Sequence, residues 1–336
     1  MNPSTESFMK ECRVCPRNCS ADRLSDQKGF CRAGAEIILA RAALHMWEEP
    51  CISGTKGSGA VFFSGCGLRC CFCQNHDIAI GSRGRAVSVE RLGEIFLELK
   101  EKGAANINLV TGAHYVPQII EALDMARRNG LDIPVVYNSS GYEKTETLKL
   151  LEGYVDIYLP DLKYLDPELA QKFSYAPDYV QAAKAAIGEM VRQTGKCEFG
   201  EDGYIRKGTI VRHLILPGHT GNSIKALRYL HETYGEDIYI SIMNQYTPVR
   251  KFVEFKELNR KVTKREYEKV LDAAVDMGIQ NGFIQEGETA SESFIQDFDY
   301  EGVEKNTPYM DGGRYFRTGA YEKEKYYRKF ITFYGL

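Results

Sequence analysis

"FFSGCGLRCCFCQNHD", residues 62–77, places Cys66, Cys70, Cys71 and Cys73 within eight positions. It continues the apolar run "AVFFSG" and carries glycines at 65 and 67, the pattern of a tight loop leaving a buried strand. Cys66, Cys70 and Cys73 are spaced C-x3-C-x2-C. One loop with that spacing can fold three thiolates around a single inorganic cluster while backbone N–H groups face its sulfides. The number of thiolates decides the chemistry. A [4Fe-4S] cube held by three cysteines keeps one iron without a protein ligand, and an open position is what separates a catalytic metal site from a structural one. Cys71 is then the surplus thiol. A zinc knuckle completed by His76, or a group of reactive thiols, competes with the cluster.

Outward from this loop, strands alternate with amphipathic helices, as in parallel β/α units. A strand at 59–63 leads into the cysteines, and Ser88 can cap a helix with Leu92, Ile95, Phe96 and Leu99 on one face. "INLV" 107–110, "IPVVYN" 133–138, "VDIYLPDLK" 155–163, "TIVRHLIL" 209–216 and "DIYISIMNQ" 237–245 follow as strands. "GFIQ" 282–285 comes after a helix beginning near Thr263. That is enough for an α/β fold built as a partial or full parallel β/α barrel, with chemistry at the C-terminal strand ends. Polar residues recur there, in "TGAHY" 111–115, "NSSGY" 138–142, "PDLKY" 160–164, "RHLILPGH" 212–219 and "MNQY" 243–246.

The setting agrees with a metal enzyme. Among 336 residues, 43 Lys and Arg against 46 Asp and Glu give a net charge of −3, so no nucleic-acid footprint is indicated. The N-terminus "MNPSTESFMKEC" lacks the apolar core of a signal peptide, and no apolar run reaches membrane-spanning length, which points to a cytoplasmic chain. In a reducing compartment ten cysteines are metal ligands or reactive thiols sooner than disulfides. A second group, Cys12, Cys15, Cys19 and Cys31, is spaced C-x2-C-x3-C-x11-C and supplies a complete four-thiolate shell for structural zinc or an auxiliary [4Fe-4S] cluster. Full ligation leaves no open iron there, and an electron relay is the sharper use of it. A module of this size has too little core to stand without such a staple. Cys51 and Cys197 are read as free thiols.

The spacing C-x3-C-x-aromatic-C, with Phe72 before Cys73, resembles the signature of the radical S-adenosylmethionine (SAM) superfamily. Together, "EEPCISGTKGSGAVFFSGCGLRCCFCQN", "NLVTGAHYVPQI", "DIYLPDLKY" and "IVRHLILPGH" resemble its pyruvate formate-lyase activating enzyme-like branch, over Cys12 to about Val303. The resemblance implies an iron–sulfur enzyme whose open iron takes the amino and carboxylate groups of SAM. An electron from the cluster then cleaves the S–C5′ bond, producing a 5′-deoxyadenosyl radical that abstracts hydrogen. Relatives activate glycyl radical enzymes by removing a glycine Cα hydrogen.

Residue by residue, the resemblance gives Cys66, Cys70 and Cys73 to the cluster and sets Phe72 and Asn75 beside the adenosine. The family's Gly-Gly-Glu motif, which contacts the methionine amino group, is replaced here by Thr111, Gly112, Ala113 and His114. Asn138 and Ser140 fall where ribose or carboxylate contacts are usual. Asp161 and Lys163 match the activating enzymes' "DLK", with a structural ion pair as the alternative, and Arg212 falls where a basic residue approaches the nucleoside or carboxylate. Arg212 and His213 alternate along a strand, so one of them faces the site, and Arg212 is chosen.

On this pattern residues 1–50 form a Cys-rich metal module, 51–303 the radical SAM barrel and 304–336 an aromatic, basic extension that wraps the barrel or docks a partner. The expected substrate is a protein or peptide, and the expected electron donor is of the flavodoxin or ferredoxin kind. Modification of a small molecule or of a ribosomally made peptide is the alternative within the enzyme class. A non-catalytic iron–sulfur or zinc protein for electron transfer or scaffolding is the alternative outside it.

Overall fold

The computed structural model describes residues 3–285, 298–305 and 327–329. Its strands are β1 (Ile37–His45), β2 (Ser58–Phe63), β3 (Arg85–Val87), β4 (Ile107–Val110), β5 (Val135–Ser139), β6 (Ile157–Pro160), β7 (Glu198–Phe199), β8 (Ile205–Leu214), β9 (Tyr239–Met243), β10 (Gly282–Gln285) and β11 (Tyr327–Lys329). Helices α1 (Pro3–Lys10), α2 (Pro50–Ser53), α3 (His76–Ala79), α4 (Val89–Glu101), α5 (Val116–Arg128), α6 (Thr145–Lys149), α7 (Pro167–Ser174), α8 (Tyr179–Thr194), α9 (Thr220–Tyr234) and α10 (Lys264–Asp276) fill the connections.

One sheet runs β11-β10-β9-β8-β6-β5-β4-β2-β1-β3, with β7 hooked onto β8. The pairs from β2 through β10 along this path are parallel, as connections through helices require. β1 and β3 join antiparallel at one end and β11 at the other. No ladder among the described residues joins the two ends, so the sheet is an open, partial β/α barrel.

The local chemistry accounts for the helices that hold this sheet. Ser88 caps α4 by accepting from Arg91 N, and Leu92, Ile95, Phe96 and Leu99 are buried on one face of it. Thr263 and Glu266 form a reciprocal capping box at the start of α10. Val61, Phe63, Leu109 and Tyr137 point from the sheet into the core shared with α4 and α5. Their neighbours in sequence point the other way. On that concave face Val136, Ile157, Leu159 and Ile210 pack against Cys51 and Ile52 of α2, which floors the barrel.

Two features depart from the sequence reading. β1 was not expected: "IILARAALH" is an alanine-rich apolar run without strict alternation, and its pairing with β2 shifts register between Leu39 and Arg41. The sheet therefore reaches back into residues 1–50, ahead of the strand at 59–63. The strand expected over 155–163 ends at Pro160, because proline cannot donate to a ladder, and Asp161 keeps only a single bridge to Arg212. The extension at 304–336 lies outside the described residues apart from Glu304, Lys305 and the backbone of β11.

Candidate active site

The cysteine loop leaves β2 through Ser64 and Gly65. Ser64 N donates to Ile38 O (2.8 Å) and its hydroxyl to Arg83 O (2.6 Å), tying the root of the loop to β1 and to the approach to β3. Gly65 has φ +97°, and a Cβ there would stand 2.6 Å from the Cys31 carbonyl oxygen, so only glycine lets the N-terminal segment approach this closely. Inside the loop Cys73 N donates to Cys70 O (3.1 Å), Leu68 N to Cys66 Sγ (3.4 Å) and Ser174 Oγ to Cys70 Sγ (2.9 Å). Phe72 is buried edge-on to Phe173 and Tyr246, with ring centroids 6.3 and 6.2 Å away. Asn75 begins α3 without a side-chain cap bond.

Burial pushes the Cys73 thiol up to about 12, and the nearby Cys70 and Cys66 add to it. Burial raises Cys70 as well, against the pull of Lys163. Cys71 is pushed up to about 12 by burial and by Cys70, but its N–H is spent on Phe173 O (2.7 Å) and its cationic neighbours are Arg250 and Lys172. Cys66, Cys70 and Cys73 thus lie within one another's fields, where thiolates form only if a positive centre compensates them. Among the described residues no three His, Cys, Asp or Glu side chains are gathered as ligands of a single metal ion. In a cube each cysteine takes a different iron, and Cys66, Cys70 and Cys73 are the residues that would hold a [4Fe-4S] cluster with one iron open.

Beside Cys70 a polar network fills the concave face of the sheet. Asp161 binds Lys163 and accepts from Arg212 Nε (2.9 Å). Arg212 Nη2 donates to Asn138 Oδ1 (2.6 Å) and Nη1 to Glu48 Oε2 (3.2 Å). Glu48 Oε1 accepts from Asn108 Nδ2 (3.2 Å) and Asn138 Nδ2 (3.1 Å). Burial works to raise the Asp161 carboxyl, but Arg212 and Lys163 overcome it and hold it below its ordinary value. Tyr179, fully buried, donates its hydroxyl toward Ser140 O and Asp161 O (2.9 Å each) and accepts from Lys163 N (2.9 Å), knitting the ends of β5 and β6 together. Gly141 makes this possible: its φ is +75°, and a Cβ would meet Asp161 O at 2.3 Å.

Asn138, Asp161, Lys163 and Arg212, four of the positions named from sequence, are therefore in one network. His213 points to the other side, with Nδ1 at Leu162 O (2.6 Å) and Nε2 at Ser223 Oγ (2.9 Å) of α9. The sequence reading missed Glu48 and Glu49. Glu49 is 1% exposed, has no hydrogen-bond partner on either carboxyl oxygen, and is pushed up to about 7 by burial, with Glu48 adding and Arg212 opposing. Two adjacent acids before Pro50, in a segment otherwise apolar enough to be buried, were the available signal.

Thr111, His114 and Ser140 line a cleft at the edge of that network, which Cys66 also borders. Thr111 adopts φ +60°, unusual for a β-branched residue, and its N–H donates to Asn138 O (2.9 Å). Gly112 packs on Phe63 and Ile119. His114 Nε2 meets Ser64 O (2.8 Å), and burial pushes its ring down to about 4, leaving it neutral near pH 7. Cys15 and Cys31 face the same cleft; Cys12 is buried and Cys19 exposed.

A model of the Radical SAM superfamily matches residues 60–230, more than half of the chain. The chain belongs to the Radical SAM superfamily. Such membership carries a [4Fe-4S] cluster and SAM chemistry with it, and makes the protein an enzyme. An uncharacterized protein of Methanocaldococcus jannaschii is 28% identical over 276 residues, 80% of this chain and 75% of that protein. The pyruvate formate-lyase-activating enzyme of Clostridium pasteurianum is 27% identical over 113 residues, 32% of this chain and 46% of that one. Among solved structures, SuiB of Streptococcus suis bound to S-adenosylmethionine is similar with a TM-score of 0.45 and 15% identity, over 68% of this chain and 52% of SuiB. The FeFe-hydrogenase maturase HydG of Carboxydothermus hydrogenoformans has a TM-score of 0.46 and 13% identity, over 70% and 56%. The chain spans about half the length of these structures. Among the described residues no helix of this radical SAM chain is long and apolar enough to cross a membrane.

Proposed function

We propose that this radical SAM enzyme abstracts hydrogen from a peptide or protein, in the manner of a glycyl radical enzyme activase. The observation that carries it is the arrangement at one end of the parallel strands. The loop of Cys66, Cys70 and Cys73 leaves β2 there, and Asn138, Asp161, Lys163 and Arg212 meet beside Cys70 in a buried network of alternating charge. A cluster held by the three cysteines would supply the electron that cleaves SAM. The chain's own residues do the rest. Asp161 keeps Lys163 and Arg212 charged and in place, which presents two cations and the Asn138 amide to a zwitterionic ligand. Phe72, Phe173 and Tyr246 wall the loop with rings that exclude water. A macromolecular substrate agrees with a sheet that no ladder among the described residues closes, and the partial likeness to an activating enzyme points the same way.

Anaerobic reconstitution, reduction and an assay for 5′-deoxyadenosine test the chemistry. Replacing Cys66, Cys70 or Cys73 by alanine is expected to abolish SAM cleavage, and Cys71→Ala to keep much of it; equal loss in all four overturns the ligand set. Fractionated lysate of the source cells tests the substrate. Stimulation that passes wholly through a small-molecule filter, with none from protein or peptide fractions, refutes the activase reading.

A further inference from the structure

Cys70 is the cysteine of the catalytic loop that a side chain from outside the loop reaches. Leu68 N meets Cys66 Sγ (3.4 Å) from two residues further along the same loop. Cys70 Sγ instead accepts from Ser174 Oγ (2.9 Å), 104 residues away in sequence. Ser174 is the last residue of α7, and its hydroxyl also touches the Tyr164 hydroxyl at 2.8 Å. Tyr164, Ser174 and Cys70 are all buried, so bulk water does not compete for these bonds.

The protons in this chain have one arrangement. A sulfur that ligates iron carries no proton and can only accept, so Ser174 donates to it. A serine hydroxyl has a single proton, so Ser174 in turn accepts from Tyr164, and the order runs from Tyr164 through Ser174 to Cys70. Each bond polarises the next, which makes this serine a stronger donor than an isolated one.

The surrounding backbone keeps Ser174 in place. Cys71 N donates to Phe173 O (2.7 Å), while Arg17 donates to Ser174 O (3.2 Å) and Tyr175 O (2.6 Å), so the last turn of α7 is fixed against the loop from two sides. A serine near a helix end commonly bonds back to the carbonyl four residues before it. Here that carbonyl, Ala170 O, accepts from Ala176 N (3.3 Å), and the Ser174 hydroxyl turns to the loop.

A hydrogen bond to a ligand sulfur favours the state in which the cluster carries more negative charge, which is the reduced one, and so raises its reduction potential. We infer that Ser174, oriented by Tyr164, is a positioning residue that sets the reduction potential of the cluster at Cys66, Cys70 and Cys73 through the sulfur of Cys70. On reduction the cluster gains one electron, and the hydroxyl keeps its proton in both states. The assignment rests on those three cysteines holding the cluster and is independent of what the radical attacks.

The test is anaerobic reconstitution of wild type, Ser174→Ala, Tyr164→Phe and the double variant. Iron and sulfide are counted, and a redox titration without SAM is read by electron paramagnetic resonance, following the signal that is absent from Cys66→Ala/Cys70→Ala/Cys73→Ala. At iron content equal to wild type, Ser174→Ala is expected to lower the reduced-to-oxidised ratio at a fixed applied potential about tenfold, which for a one-electron couple is a fall of about 59 mV in midpoint. Tyr164→Phe is expected to move the midpoint in the same direction by less, because it keeps the donor and removes only its polarisation. Adding Tyr164→Phe to Ser174→Ala is expected to move it no further, yet to restore thermal stability lost when Ser174→Ala leaves the buried Tyr164 hydroxyl without a partner. A purely structural serine would instead have its potential recover along with the stability, and that result overturns the inference. So does an iron-loaded Ser174→Ala with the wild-type midpoint, which leaves the ligand set standing. If neither alanine variant takes up iron, Tyr164→Phe decides, and a midpoint equal to that of wild type overturns the chain from Tyr164 to Cys70. A wild type without any cluster signal overturns the ligand set, and the inference with it.

Discussion

Replacing Glu49 by glutamine is expected to stabilise the protein, although it removes a side chain from the heart of the concave face. The Glu49 carboxyl is 1% exposed, and neither oxygen has a hydrogen-bond partner. Burial, aided by the neighbouring Glu48 and opposed by Arg212, raises it from an ordinary 4.5 to about 7. Below pH 4.5 the group is protonated in folded and unfolded chains alike and contributes no pH dependence. As pH climbs from there to about 7, the unfolded chain releases a proton that the folded chain keeps, so folded stability falls. A gap of about 2.5 pH units at about 1.36 kcal/mol each amounts to a loss of about 3 kcal/mol, complete by about pH 8. Glutamine preserves the shape and cannot ionise, so Glu49→Gln escapes that loss. The assay is urea unfolding of metal-free wild type and variant at several pH values between about 4 and about 8, with the difference between them plotted against pH. Taking the difference cancels other titrating groups, among them Glu143, which burial raises to about 8. The difference should be small at the acid end and grow to about 3 kcal/mol in favour of the variant. A difference that stays flat with pH refutes the assignment of a buried, uncompensated carboxyl, as does a variant less stable than wild type at the alkaline end.

Phe173→Ala empties a fully buried position between Phe72, Phe255 and His219 and is expected to cost about 3–5 kcal/mol. Iron retention by the reconstituted chain should fall with it, and unchanged iron content would show that the ring does not brace the cysteine loop. Gly141→Ala forces a side chain onto a φ of +75° and against Asp161 O, for a cost of at least about 2 kcal/mol in thermal unfolding. SAM affinity by equilibrium dialysis should weaken too, because Asp161 positions Lys163 and Arg212; full affinity in a destabilised variant would detach that network from the ligand.

Much of the fold was legible in the sequence because its signals are local. "INLV" and "GFIQ" are strands to the residue, Ser88 and Thr263 cap the helices expected of them, and the alternation of apolar runs with helical faces announced parallel β/α units. The spacing of Cys66, Cys70 and Cys73 is local as well, a property of one loop, which is why the superfamily was readable from the sequence. What depended on distant segments was not. β1 lacks the period-two pattern that marks a half-buried strand, and only its pairing with β2 makes it one. The meeting of Glu48 with Arg212 joins residues 164 apart along the chain, and no periodicity encodes it. Glu49 is buried because α2 returns to floor the barrel, a consequence of packing that its own neighbours in sequence do not foretell. That Cys15 and Cys31 share a cleft with Cys66 was likewise decided in three dimensions. Spacing can say that a loop is able to ligate, but which loops face one another follows from the burial of the apolar faces between them.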